Sequence, residues 1–445
     1  MATKFSNFKG TRDIAGKDMM VRQFVTDTAR RVFESFGFVP LQTPVIEKME
    51  TLMGKYGEEA ENLLFHLAKP HEDGGLRYDH TVPLARFAGN NWQELPKPYK
   101  RYSIGPVFRG ENTQAGRYRE FIQCDFDTLG TNSLLVDAEI VAINVEFLQK
   151  IGFTNQFKIQ IGDRRFLNAL VNEFGFDQKA NPIVMRAWDK LDKITLDESA
   201  DYFEKETQKL NIENADKEKY LKITSDLLSI KDKTNNEKFI ELKKMFASKN
   251  IQDEISNLEK LFDTINNLGV EEMFYELNPV LARGLSYYTG PIFETIVIDG
   301  GIGSISGGGR YDNLISALGG PDVPASGSSF GLDRLLDVME KLNITPKVIN
   351  STQVLVTIYD QENNNLIKKS LEVAKFLREQ NIKTEIFEGN QNLGKQFSYA
   401  SDKSIPFAIV IGSDELTKNM VSIKNLETRE QKLVELKDLV KEISG

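Results

Sequence analysis

Between Pro106 and Gly130 the chain reads PVFRGENTQAGRYREFIQCDFDTLG, and its charged residues recur at alternate positions. At period two, Val107, Arg109 and Glu111 share one strand face. After the turn-like NTQAG segment, Arg117, Arg119, Phe121, Gln123, Asp125 and Asp127 share another. The opposite face of the second strand is Ile122, Cys124 and Phe126, apolar where the first is polar. One side therefore packs a core and the other meets something that favours charge. Burying an unpaired charge costs several kcal/mol, so a face this ionic is either wet, internally paired or built around a polar ligand.

Helices and strands must hold that hairpin in place. Residues 17–36 carry Met20, Phe24, Val25, Thr28, Val32 and Phe33 at helical spacing, and Gly37 is placed to end the helix. A strand with a proline at its rim follows. Residues 137–151 predict a helix and Lys158 to Ile161 a strand. From about Glu198 to Asn267 the chain is dense in Lys, Glu, Asp and Asn, with Leu, Ile and Phe at helical spacing, which predicts a helical insertion without visible chemistry. After Lys347 the pattern predicts QVLVTI as a strand, Asn363 to Gln380 as a helix, KTEIF as a strand and Leu393 to Ser401 as a helix. FAIVIG and MVSIKNL then read as strands, and Gln431 to Ile443 as a closing helix. Alternation of this kind over so short a stretch indicates a small α/β domain with its own core.

Composition narrows the function. A chain of 445 residues exceeds one ordinary core, so two or three domains are expected. The single cysteine, Cys124, excludes an internal disulfide framework and a multi-cysteine zinc site, and fits a reducing compartment. The opening MATKFSNFKGTRD lacks an apolar signal core, and no apolar run approaches the roughly 18 residues of a membrane span, so a soluble, cytoplasmic protein without a membrane partner is expected. A net charge of −9 argues weakly against nucleic acid, because an enzyme that binds one folded RNA needs basic patches rather than a basic average. Lys97, Lys100 and Arg101, just before the hairpin, are candidates for such a patch, and equally suit ordinary solubilising roles. The SGGGRYD segment has neither a P-loop nor a dinucleotide-binding pattern. Close backbone approach to a substrate is the expected reason for Gly307 to Gly309, with Arg310 structural.

FRGE, a loop and then RYREF resemble motif 2 of the class II aminoacyl-tRNA synthetases. LARGLSYYTGPIFE from Leu281 and SGGGRYDNLISALGG from Ser306 resemble the two signature sequences of the histidyl-tRNA synthetases within that class. FKGTRD at Phe8 and FGFVPLQTPVIE at Phe36 are similar to that family's amino terminus and motif 1, with Pro44 as the motif proline. SGSSFGLDRLL from Ser326 is similar to motif 3, with Arg334 as its arginine. Only about 170 to 275 lacks a matching motif. The resemblance implies an α+β catalytic core on a mixed, mainly antiparallel sheet of the class II type, a helical insertion and a small C-terminal α/β domain of the anticodon-binding type. The expected boundaries are 1–170 with 275–342 for the core, 171–274 for the insertion and 343–445 for the C-terminal domain.

It also implies ATP-dependent joining of L-histidine to tRNA(His). Activation brings a carboxylate to the α-phosphate of ATP, so two anions meet and negative charge builds on phosphorus. Arginine forks match both partners and stay charged at any working pH. The nucleophile is already ionised, so no general base is needed and catalysis rests on positioning and electrostatics. That the chain has only three histidines, His66, His71 and His80, is therefore no obstacle. By resemblance, Arg109 holds the α-phosphate and the substrate carboxylate, Glu111 accepts from the adenine amino group, Phe121 stacks on adenine and Arg334 holds the γ-phosphate. Arg283 meets the α-phosphate from the other side, where the family's relatives use a metal ion. Mg²⁺ is expected with ATP on the β- and γ-phosphates, with no site made of protein alone. Asp79, Thr81 and Gln123 resemble the ligands of the histidine α-amino group, and Asp127 and Tyr288 those of its ring, with Tyr287 beside them. Gln114, in the hairpin loop, resembles the contact to the tRNA acceptor end. The same resemblance implies a homodimer built on motif 1.

The chain departs from the family's commoner residues at four positions. Asp333 and Ser286 stand where Glu and Asp are common, and Asp79 and Asp127 where the bacterial form often has Glu. The shorter carboxylates require closer pocket walls or a bridging water, and D-x-T and CDFD resemble the eukaryotic-type branch. On a purely structural reading Asp127 is a strand residue paired with an arginine. Two alternative functions share the scaffold: the non-catalytic regulatory paralogue of histidine biosynthesis, which lacks a C-terminal domain, and a class II ligase for another amino acid. A threonine enzyme needs a zinc held by Cys and His, which one cysteine and three histidines disfavour.

Overall fold

The structure, a computed structural model, describes residues 5–53, 61–67, 73–114, 116–212, 215–282, 287–298, 301, 303–346 and 352–444. Contacts divide the chain into two compact units: Met1–Asp13 with Arg22–Pro346, and Ile14–Val21 with Lys347–Gly445.

The first unit is built on short strands β1 (Val39–Pro40), β2 (Ile46–Lys48), β3 (Phe65–Leu67) and β4 (Gly74–Leu76), the long hairpin β5 (Tyr99–Phe108) and β6 (Glu120–Leu129), and strands β7 (Phe157–Asp163), β8 (Tyr275–Leu277), β9 (Pro291–Val297), β10 (Ser306–Arg310) and β11 (Ala325–Gly331). Eight of these form one sheet in the order β1-β5-β6-β11-β10-β9-β7-β8, and β2-β4-β3 form a small second sheet. The large sheet is antiparallel except at its rims, where β1 pairs parallel with β5 and β8 parallel with β7. The mixed, mainly antiparallel sheet expected from the sequence is thus present. Pro40 lies on an edge strand, where its missing N–H forfeits no ladder bond.

One face of this sheet is covered by the helices Gly16–Ser35 and Leu134–Lys150. Phe33 packs on Phe126 and Tyr102, with ring centroids 4.8 and 5.7 Å away, and Phe147 packs on Phe330 at 4.6 Å. The first helix ends as the glycine signal predicts: Gly37 has φ +83°, its N–H bonds Glu34 O, and the Phe38 N–H bonds Phe33 O. The few polar groups on this side satisfy one another. Asp137 joins the Arg310 guanidinium at 2.7 Å and the Ser326 hydroxyl at 2.7 Å, and the Ser306 hydroxyl reaches Asn144 Oδ1 at 3.1 Å. Arg310 is structural, as expected.

Helices fill the chain between β7 and β8, from Arg164–Glu173 to Lys249–Asn267, so the helical region starts earlier than the polar, Lys- and Glu-rich composition alone indicated. The reason is local: Asp163 ends β7 and caps the next helix by accepting from the Arg165 N–H at 2.7 Å.

The second unit carries β12 (Val354–Val356), β13 (Thr384–Ile386), β14 (Phe407–Val410), β15 (Met420–Asn425) and β16 (Gln431–Glu435) in the order β13-β12-β14-β15-β16, with helices Asn364–Glu379 and Leu393–Asp402 between them. The closing helix expected over Gln431 to Ile443 forms only from Leu439 to Ser444. Residues 431–435 instead pair antiparallel with β15, Met420 opposite Glu435. Arg429, at φ +65°, turns the chain back onto the open edge of β15, and that edge's backbone groups outweigh the helical spacing of the leucines.

Candidate active site

The uncovered face of the large sheet is set by hairpin register. Counting back from a turn centred on Gln114, the ladder pairs Val107 with Phe121, Gly105 with Gln123, Ser103 with Asp125 and Arg101 with Asp127. On the other side of β6, Gly331, Ser329 and Gly327 of β11 stand opposite Gln123, Asp125 and Asp127. A row of polar side chains is thus flanked by glycine and serine, which leaves room above the sheet. Among the described residues nothing lies within 4 Å of a Cβ built at Gly331.

At one end of this floor, the half-buried Arg109 guanidinium lies 4.1 Å from the centre of the Tyr78 ring and 5.2 Å from that of Phe121, and its Nε–H donates to Tyr78 O at 3.2 Å. Glu111 faces Arg117 at 3.6 Å, and Arg119 Nε donates to Glu111 O at 3.1 Å. Arg334 enters from the helix Leu332–Lys341, its Nη1 donating to Ser304 O at 2.8 Å. Gln114 is exposed in the loop and bridges Arg117 through the backbone. Beside Arg334, Asp333 binds both Arg12 and Arg22 and accepts from the Ile122 N–H at 3.0 Å. Although burial opposes ionisation, the two arginines and that N–H hold Asp333 below the usual carboxylate range. A short Asp at this position is therefore accounted for by arginines that reach in to meet it.

At the other end, Asp79 Oδ1 accepts from the N–H groups of Thr81 and Val82, the first two residues of the helix Thr81–Asn91, at 3.0 and 3.1 Å. Asp127 is buried, with Oδ2 2.5 Å from Arg101 Nη2 and Oδ1 accepting from the Tyr311 hydroxyl. The Tyr287 ring packs at a tilt against Tyr288 and edge-on against Tyr311, with centroids 4.9 and 5.9 Å away, and a Cβ at Gly309 would lie 2.9 Å from the Tyr288 ring. Gln123 is buried, and its Oε1 has no partner among the described residues. Burial, helped by the charge of Asp79, pushes Asp127 above its ordinary value against the pull of Arg101 and Tyr311. Burial and the charges of Arg77 and Arg101 push His80 down to about 3. The neutral ring donates from Nε2 to Gly105 O at 3.2 Å, since a carbonyl can only accept.

The structure thus gathers Arg109, Glu111, Phe121 and Arg334 towards one end of the floor, and Asp79, Thr81, Gln123, Asp127, Tyr287 and Tyr288 towards the other. Arg283 and Ser286 lie outside the described residues.

Two expectations need correction. Lys97, Lys100 and Arg101 do not form a patch: Lys97 lies over the Trp92 ring, Lys100 pairs with Glu139 at 2.6 Å, and Arg101 is entirely buried. Gly308 and Gly309 are required by neighbouring backbone, because a Cβ at Gly308 would overlap Gly327 O and one at Gly309 would lie 2.6 Å from Pro291 O. The residues missed were Arg101, Tyr78 and Tyr311. The register counted from Gln114 carried the signal for Arg101.

Comparison with known proteins decides what this arrangement belongs to. The family description of histidyl-tRNA synthetase matches residues 10–335, and that of the anticodon-binding domain residues 353–445. The chain belongs to the histidyl-tRNA synthetase family. It is 38% identical to a histidine–tRNA ligase of Cytophaga hutchinsonii over 97% of this chain and 98% of the relative, and 37% identical to that of Clostridium tetani over 99% and 98%. It superposes on the crystal structure of histidyl-tRNA synthetase from Nostoc sp. PCC 7120 with a TM-score of 0.86, 31% identity and 99% of each chain covered. The fold of that family, a class II core followed by an anticodon-binding domain, is the fold described above. Among the described residues no helix is long and apolar enough to cross a membrane, and no group of three or more His, Cys, Asp or Glu side chains is arranged to hold a metal ion.

Proposed function

We propose that this chain activates L-histidine with ATP to histidyl-adenylate and transfers the histidyl group to the 3′ end of tRNA(His). The observation that carries the reading is the buried polar floor in a chain of this family, with the arginine end and the carboxylate end on one hairpin. Arg109 would hold the α-phosphate and the substrate carboxylate, and its position between Tyr78 and Phe121 supports a fixed guanidinium. Phe121 would stack on adenine, Glu111 accept from its amino group, and Arg334 hold the γ-phosphate. The lack of described atoms within 4 Å of a Cβ at Gly331 supports a nucleotide lying there. Mg²⁺ would come with ATP and neutralise the β- and γ-phosphates. Arg283 would complete the clamp on the α-phosphate.

Asp79, Thr81 and Gln123 would bind the α-amino group, and the unpartnered Gln123 Oε1 is an acceptor suited to an ammonium. Asp127 and Tyr288, beside Tyr287, would read the imidazole. A site built on such bonds rejects isosteres that cannot form them. Gln114 would meet the acceptor end of tRNA, consistent with its exposure. Residues 1–170 with 275–342 would form the catalytic core, 171–274 the insertion and 343–445 the anticodon-binding domain. The protein would work in the cytoplasm as a homodimer, a state supported by the exposed apolar side chains Val39, Ile46 and Met53 at 48, 57 and 42% exposure.

ATP–pyrophosphate exchange with each amino acid in turn tests the reading. Exchange with histidine alone is expected, and exchange with another amino acid would overturn the pocket. Arg283→Ala is expected to abolish histidine-dependent exchange while the fold persists, and unchanged exchange would remove its role. Light scattering tests the dimer, against which an active monomer would count.

A further inference from the structure

Arg101 is a buried ion on the floor to which the roles above give no part. It is 0% exposed and faces Asp127 across the β5–β6 ladder. A core position could be filled by leucine without removing a guanidinium from water, so an arginine with no solvent contact calls for a reason. Among the described residues its Nε, Nη1 and Nη2 have no aligned hydrogen-bond acceptor, and the 2.5 Å approach of Nη2 to Asp127 Oδ2 is an ion pair rather than a bidentate fork.

The carboxylate of Asp127 is boxed in on several sides. Arg101 approaches from β5, the Tyr311 hydroxyl donates from beyond β10, and on β11 a Cβ at Gly327 would overlap Asp127 Oδ1. Two other acids act on this group: Asp125, on the same strand and bonded to the Ser329 hydroxyl at 2.5 Å, and Asp79, from the segment before the helix Thr81–Asn91. Burial and Asp79 favour the protonated form of Asp127. His80 is neutral, so it contributes no cation, and Arg101 is the cation that opposes protonation of both Asp125 and Asp127. The state of Asp127 matters because a carboxylate only accepts, whereas a carboxylic acid also donates. An imidazole N–H is recognised by the first form and opposed by the second.

We propose that Arg101 is a positioning residue for histidine recognition, fixing the charge and the direction of the Asp127 carboxylate so that it accepts from the imidazole. The inference rests on the assignment of Asp127 to the imidazole given above. Arg101 touches no substrate in this account. It acts through Asp127, with Tyr311 holding the other oxygen.

The test is ATP–pyrophosphate exchange on the full chain, with histidine and ATP varied separately over a range of pH, for wild type, Asp127→Asn, Arg101→Leu and Arg101→Lys. Arg101→Leu should raise the histidine KM by roughly ten- to hundred-fold, the range for losing a group that orients a ligand's partner. It should leave the ATP KM unchanged. Removing the cation lets Asp127 take up a proton more readily, so the defect relative to wild type should widen as pH falls and narrow as it rises. The substrate's own titration is common to both proteins and cancels in that ratio. Arg101→Lys should recover part of the loss. Should Arg101→Leu not fold, Arg101→Gln removes the charge while keeping a polar contact, and the same pH-dependent rise is expected. An unchanged histidine KM, or equal rises in both KM values without a pH trend, would reduce Arg101 to scaffold. Absence of histidine exchange in wild type would instead overturn the proposed function, and an unaffected Asp127→Asn would overturn the role of Asp127.

Discussion

The two faces of the central sheet share strands yet are completed differently. On the helix side, Phe33, Phe126, Phe147 and Phe330 interlock, and each buried charge has its answer, as Arg310 has in Asp137. On the other side, glycines keep the surface low, the buried acids Asp79, Asp125 and Asp127 crowd the buried Arg101, and Gln123 Oε1 has no partner among the described residues. The first face is finished by the protein itself. The second is the face on which the proposed ligands would supply donors, acceptors and charge, the condition under which polar groups are retained in an interior despite their cost.

Substitutions on the two faces should therefore fail in different ways. Phe126→Ala, on the helix side, should lower stability by about 3–5 kcal/mol in urea unfolding, while the fraction that remains folded keeps its KM values. A selective rise in one KM would break the contrast. Arg109→Ala should do the reverse, lowering kcat of exchange by about 10²- to 10³-fold with little change in unfolding.

Asp125 gives a test through pH. Burial, with the charges of Asp127 and Asp79 set against Arg101 and the Ser329 hydroxyl, pushes it up to about 7 from an ordinary 3.8. The folded protein then keeps a proton that the unfolded chain releases, so this group makes stability fall as pH rises from about 4 through about 7. Asp125→Asn cannot ionise and should remove that fall, a difference on the order of a few kcal/mol at neutral pH. Unfolding curves of the two proteins that stay parallel across this range would count against it. Gly331→Ala should have the smallest effect on the fold, within about 0.5 kcal/mol, because its φ of −81° suits alanine and nothing lies within 4 Å of the added methyl. A loss of activity without a loss of stability would show that this space belongs to a substrate.

The apolar half of this contrast was easy to read in the sequence. Helical spacing and Gly37 delimited the first helix to within a residue, and alternation on Ile122, Cys124 and Phe126 identified the core face. The polar residues were legible by type but not by partner. Arg101 and Lys100 are adjacent cations, yet one lies on the floor and the other meets Glu139, a difference set by strand pleat and hairpin register. Gly308 and Gly309 were read as substrate contacts because a neighbouring strand that needs the same absence of Cβ leaves no mark on local sequence. Leu433, Leu436 and Leu439 stand at helical spacing, and only the open edge of β15 decides for a strand over 431–435.

Arg12 and Asp333 are 321 residues apart. The same early segment accepts the Arg119 N–H at Gly10 O, and the Arg12 guanidinium lies 3.7 Å from the centre of the Tyr118 ring. During synthesis, Arg12 leaves the ribosome long before Asp333 exists, so this clasp on the arginine end of the floor closes only after the helical region and the glycine strands have been made. A bulky group attached at Gly10 is therefore, in space, an addition against Arg119 and Thr113 of the hairpin, however far Gly10 stands from the third motif in the sequence.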